Sequence, residues 1–216
     1  MSPGPVVRVW DLPVRLFHWA IVLLVPALWA THEWELMDLH ILLGEIMLGL
    51  ILFRLLWGVL GSSTARFATF VKGPGAVLRY LRGGGRSFGH NPLGGWSVLA
   101  MLLVLAVQVG LGLFASDEDG IYAGPLSRHM PDLESAHTLA ERHETMFWVL
   151  VVLIAVHVAA ILWYRIAKRD DLITPMVTGR GQAGGAGEAL VPARLWRLLL
   201  SVGLAVAITL AVTTIL

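Results

Sequence analysis

The sequence predicts an all-α integral membrane protein, a helical bundle with five spans. Composition, the length of the apolar stretches and the placement of basic residues carry that prediction. Hydrophobic residues make up 56% of the 216-residue chain and charged residues 14%, and mean hydropathy is +0.73, outside the usual range of soluble domains. A helix crossing the hydrocarbon needs about 20 mostly apolar residues, and the stretches 16–31, 39–60, 93–115, 145–166 and 195–216 qualify.

The first stretch is short enough to resemble a signal peptide. Ala27 and Ala30 do not give the small-x-small spacing of a cleavage site, and the segment carries His18 and tryptophans, so it reads as retained. The second opens on His40 and carries Arg54 toward its far end. The third holds no histidine and leads into a long acidic connection, 116–142. The fourth is entered through His143 and contains His157. The fifth follows a Gly-rich run, 179–189, and has no histidine. Glycines 83–85 and the run 179–187 lie in polar connections and read as flexible linkers, not as a phosphate-binding loop.

Of the 16 Lys and Arg residues, Arg128 and Arg142 stand apart from the rest. They share their connections with Glu33, Glu35, Asp38, Asp117, Glu118, Asp119, Asp132, Glu134 and Glu141. Basic residues mark the cytoplasmic side. That places the N-terminus, the second-to-third connection and the linker before the fifth helix inside, and the C-terminus outside. A net charge of +1, spread over connections, gives no reason to expect nucleic acid as a partner. The chain has no cysteine, which excludes disulfides, Cys-ligated clusters, thiolate-bound haem and covalent c-type attachment.

His143 and His157 are fourteen residues apart on one apolar segment. That is almost four helical turns, so both imidazoles point to nearly the same side, roughly 21 Å apart along the axis. In the expected topology His40 and His143 share an outer layer, and His18 and His157 an inner one. Neutral imidazole binds haem iron axially, and an apolar porphyrin fits between bundle helices. Two such layers suit two stacked haems. A polar side chain deep in a span is costly and usually functional, which favours a ligand role for His157 and His18. Near the interface a solvated histidine is common, so His40 and His143 gain their weight from falling in one layer. His32, His90, His129 and His137 lie in polar connections without a partner at matching depth and read as surface residues. His129 and His137 are weaker candidates for partner contact. Arg54 has two readings, a partner for haem propionates or a helix-end arginine snorkelling to the inner surface. Gly44, one turn after His40, leaves room for a porphyrin edge or for ordinary helix packing.

The strings Leu16-Phe-His-Trp19, Asp38-Leu-His-Ile-Leu-Leu-Gly44 with Phe53-Arg-Leu-Leu56, and His143-Glu-Thr145 followed by His157 resemble the bacterial cytochrome b561 family, which includes b-type subunits of nickel–iron hydrogenases. The resemblance covers roughly residues 8–175. It implies two haem b held by His18, His40, His143 and His157, and electron exchange between quinone or quinol and a partner. The expected architecture is a four-helix dihaem domain (1–175), a Gly-rich cytoplasmic linker (176–194) and an added transmembrane helix (195–216), which departs from the smallest family members. The expected place is the bacterial inner membrane, multi-pass, in contact with lipid.

The function expected from these readings is electron transfer between the quinone pool and a periplasmic or membrane-bound redox partner. A c-type cytochrome drawn to the acidic 116–142 connection fits, as does a dehydrogenase or hydrogenase subunit. Filling both axial positions favours electron transfer over binding at iron; quinone-linked oxidoreductase chemistry stays open. Two alternatives stand beside it: a haem-containing anchor subunit of a larger dehydrogenase or hydrogenase, and a histidine-lined metal or proton transporter. The transporter would favour acidic residues within the spans, where Glu45 is almost alone.

Overall fold

The computed structural model describes residues 5–83, 89–182 and 189–215. Glycines 84 and 85, Arg86 and residues 183–188 of the Gly-rich run lie outside the described residues. In chain order the elements are β1 (Val6–Arg8), α1 (Leu12–Glu33), α2 (Met37–Leu60), α3 (Phe67–Phe70), α4 (Pro74–Gly83), α5 (Pro92–Phe114), α6 (Leu133–Ala167), α7 (Ile173–Thr178), β2 (Arg180–Gln182) and α8 (Leu195–Leu210). Among the described residues α1, α2, α5, α6 and α8, the last with its continuation to Thr214, are long and apolar enough to cross a membrane. Leu23, Leu103, Val152 and Leu199 stay exposed along them, as lipid-facing positions require.

Short polar side chains start three of the long helices. The carboxylate or amide oxygens of Asp11, Asn91 and Asp132 accept the backbone N–H of Val14, Gly94 and Ser135 at 2.8, 2.7 and 2.7 Å, each satisfying a donor that the first turn leaves orphaned. Pro92 takes the first position of α5, where a missing N–H costs nothing. The cap at Asp132 corrects the sequence expectation for the fourth span. Hydropathy rises only near Thr145, but α6 begins at Leu133, so His143 lies well inside the helix instead of opening it. The end of the acidic connection is helical for the same reason.

Two compact units each draw on several helices. The first comprises residues 1–18, 54–100 and 155–201. Here β1 pairs antiparallel with β2, Val7 opposite Gly181. Val9 N–H donates to the Gly179 carbonyl at 2.9 Å, and Thr64 Oγ1 to the Val9 carbonyl at 2.8 Å. Gly179, at φ 80°, ends α7 in the left-handed region, which only glycine enters without strain. Leu190 N–H donates to Arg8 O at 3.1 Å, and Val191 N–H to Ser63 Oγ at 2.9 Å. The segment 176–194, expected as a flexible linker, is thus tied down at both of its described ends. Its backbone groups satisfy those of the N-terminal strand.

The second unit comprises residues 19–53, 101–154 and 202–216. Met47, Ile51, Leu105 and Leu150 form its buried core, flanked by Leu24, Leu28 and Val109. A Cβ at Gly49 would come within 3.3 Å of Thr209 Oγ1. The histidine-free fifth span therefore packs closely on α2 through a small residue.

Candidate functional site

The second unit encloses a cavity of about 430 Å³, in the usual size range of cofactor sites. Val25, Leu28, Met47, Leu105, Val109 and Leu150 line its apolar part, and His40, Gly44 and His143 also face it. His40 Nδ1 lies 2.9 Å from the Leu28 carbonyl and His143 Nδ1 lies 2.8 Å from the Gln108 carbonyl. A carbonyl only accepts, so Nδ1 carries the proton on both rings and Nε2 is the nitrogen left for a metal. The two ring centroids are 6.1 Å apart, with planes at 79°. A metal–imidazole bond is about 2 Å and the ring centre sits about 1 Å behind the bound nitrogen, which puts two imidazoles on opposite sides of one metal about 6 Å apart. Two imidazoles supply axial ligands alone, and among the described residues no cluster of three or more His, Cys, Asp or Glu is placed to hold a bare metal ion. A porphyrin iron fits this donor set.

His32 is exposed as expected, but it has a histidine partner that the sequence reading denied it. Its ring centroid lies 6.0 Å from that of His40 because the α1–α2 connection is so short. Glu35 takes a left-handed φ of 57°, and Leu36 N–H reaches back to the Thr31 carbonyl at 2.8 Å, reversing the chain in one turn. His137 is not a free surface residue either. It lines the cavity and lies 3.7 Å from Glu118. The acidic connection folds back over the end of α5, Gly124 N–H donating to Ala115 O at 2.8 Å and Leu126 N–H to Leu113 O at 2.8 Å. A Cβ at Gly124 would run into the Gly112 and Leu113 carbonyls, so glycine is required for that approach. Ser116, Asp117 and Tyr122 of this loop form part of the cavity wall.

The first unit contains His18, His157 and Arg54. His18 and His157 are half-buried and within electrostatic reach of each other. Arg54 is only 2% exposed, which excludes the reading of a snorkelling helix-end arginine. Its guanidinium lies over the Phe67 ring at 4.9 Å and near the Phe70 ring at 5.9 Å, contacts that favour a cation. A Cβ at Gly58, one turn after Arg54, would collide with the Phe67 ring. That glycine lets the aromatic platform form. Asp11 is the nearby counter-charge, and it also accepts from Trp57 Nε1 at 2.9 Å and from Ser62 Oγ.

His90 corrects the sequence reading. Expected on the surface, its ring instead packs on Trp10 at 4.6 Å and Phe70 at 4.4 Å. Burial first, then the neighbouring Arg54 charge and His157, push its pKa down to about 3, so the ring is neutral at physiological pH. No local pattern around Gly89-His90-Asn91 announces this, because its partners come from distant parts of the chain. His129 is exposed in a short 3₁₀ turn.

The profile of the prokaryotic cytochrome b561 family matches residues 9–179. The chain belongs to that family. A relative from Bradyrhizobium diazoefficiens, described as a probable Ni/Fe-hydrogenase B-type cytochrome subunit, is 25% identical over an alignment covering 82% of this chain and 87% of the relative. No solved structure matches. Family and fold together make this a multi-pass membrane haem b electron-transfer protein.

Proposed function

We propose that this cytochrome b561 family member carries two haem b and passes electrons between membrane quinone and a periplasmic or membrane-bound redox partner. The observation that best supports the reading is the His40–His143 pair, two imidazoles 6.1 Å apart, each oriented by a backbone carbonyl of another helix. His18 and His157 hold the second haem, with Arg54 set to neutralise its carboxylates. Bound haem iron supplies one-electron chemistry. The protein fixes the tautomers of His40 and His143 and surrounds their site with apolar side chains. The functional core is residues 1–175, with 176–194 as connection and 195–216 as the added helix.

The relative's name favours a hydrogenase as the membrane-bound partner, and with it the second reading, a haem-carrying anchor subunit. Purified alone, the protein should give b-type bands in a dithionite-minus-oxidised spectrum at two haems per chain, and quinol should reduce them. A spectrum without b bands sinks the haem assignment. Haems that quinol leaves oxidised, but that a hydrogenase reduces, favour the anchor.

The orientation proposed is the bacterial inner membrane with the N-terminus cytoplasmic and the C-terminus periplasmic, as the basic residues dictate. With no native cysteine, Thr69→Cys and Asp119→Cys, both at exposed positions, map it cleanly. An impermeant thiol reagent added to intact cells should label position 119 and spare position 69; the reverse pattern inverts the topology.

A further inference from the structure

The buried polar atoms of the first unit without a hydrogen-bond partner among the described residues include Arg54 Nη1 and His90 Nδ1. A buried donor left unmade costs about 1–3 kcal/mol, and more when charged, so native proteins rarely leave such groups unmet. A guanidinium can only donate, so its missing partner is an acceptor, and burial of the charge favours an anion. Asp11 does not fill that role alone. Its oxygens already accept from Val14 N–H, Trp57 Nε1–H and Ser62 Oγ–H.

The surroundings narrow the partner further. Arg54 and His90 both pack on the Phe70 ring, at 5.9 Å and 4.4 Å, and they share the first unit with His18 and His157; His90 lies within electrostatic reach of Arg54 and His157. Their walls are the rings of Trp10, Phe67 and Phe70. Trp10 is held there by the N-terminal strand, whose anchors are Thr64, Gly179 and β2. An amphipathic ligand with a carboxylate on an apolar body matches this combination, and a haem edge has that form.

We infer that His90 and Arg54 together bind one carboxylate of the haem held by His18 and His157, with His90 donating through Nδ1–H. The assignment rests on the dihaem reading above. A neutral donor beside a fixed cation binds the carboxylate without adding a second buried positive charge. Removing either donor leaves the carboxylate's charge less compensated, which favours ferric over ferrous iron and lowers the reduction potential.

The test uses the full-length purified protein and its variants His90→Phe, His90→Gln and Arg54→Gln. Phenylalanine keeps a ring against Trp10 and Phe70 but donates nothing; glutamine restores a donor. Redox titration of His90→Phe should lower one haem component by about tenfold in its reduction constant, ~59 mV for one electron. The component affected is the one that His157→Ala removes. Resonance Raman should show a shifted propionate bending mode on the same haem. His90→Gln should recover most of both signals, and Arg54→Gln should displace the same component further. If two haems are bound but His90→Phe moves neither potential nor propionate mode, the assignment fails alone, water being the partner instead. A shift confined to the component lost in His143→Ala overturns it as well. A purified protein without haem b overturns both this assignment and the reading beneath it.

Discussion

If the protein carries the two haem b proposed above, replacing His143 with alanine should remove one component and leave the other titrating near its original potential. His40→Ala should do the same to the same component, because the two rings face one cavity with centroids 6.1 Å apart. Haem content should fall by about one per chain. The fold should survive, since each variant forfeits one hydrogen bond to a carbonyl, about 1 kcal/mol net. His18→Ala and His157→Ala should delete the other component. Redox titration with haem-to-protein ratios on each purified variant separates the pairs. The arrangement contains its own competitor, because His32 lies as near His40 as His143 does. Retention of both haems in His32→Ala supports the His40–His143 pairing. Loss of a haem in His32→Ala, with both kept in His143→Ala, moves the ligand to α1.

Hydropathy alone makes the five apolar spans legible in the sequence. The five spans follow from composition, because a bilayer selects for long apolar runs regardless of how they pack. His143 and His157 occupy the single unbroken helix α6, as their spacing implies. What hydropathy could not register is helix outside the hydrocarbon. Leu133–Arg142 is too polar for a span, and only the Asp132 cap marks its start. The contact between His32 and His40 depends on Glu35 adopting a left-handed φ, a conformation that glutamate rarely signals. His90 was the least accessible to sequence reasoning. Its partners are Trp10, just after β1, and Phe70 on α3, a long-range arrangement in which β1 is itself held by pairing with β2. The Gly-rich segment looked like a tether because glycine content signals flexibility on average, whereas Gly179 here ends a helix and Gly181 pairs with Val7.

Filling the space at Gly44 should expel a haem without touching any ligand. A Cβ at Gly44 meets nothing within 4 Å, and the residue lines the cavity one turn after His40. Gly44→Ala is therefore expected to keep both haems, and it stabilises α2 by up to about 1 kcal/mol through helix propensity. Gly44→Phe puts an aromatic ring into the volume a porphyrin needs. The component that depends on His40 and His143 should be lost, while the helix stays intact because no protein atom is displaced at its first carbon. Gly110 is the control. Its Cβ also meets nothing within 4 Å, but it does not line the cavity, so Gly110→Phe should retain both haems. Haem content, the surviving redox component and thermal stability of the three variants are the measurements. A Gly44→Phe protein with two haems and unchanged potentials would place the porphyrin outside this cavity and leave the His40–His143 geometry without a cofactor. Loss of both components in Gly44→Phe together with a collapsed melting transition would instead show that the position carries packing, and the volume argument would fall with it.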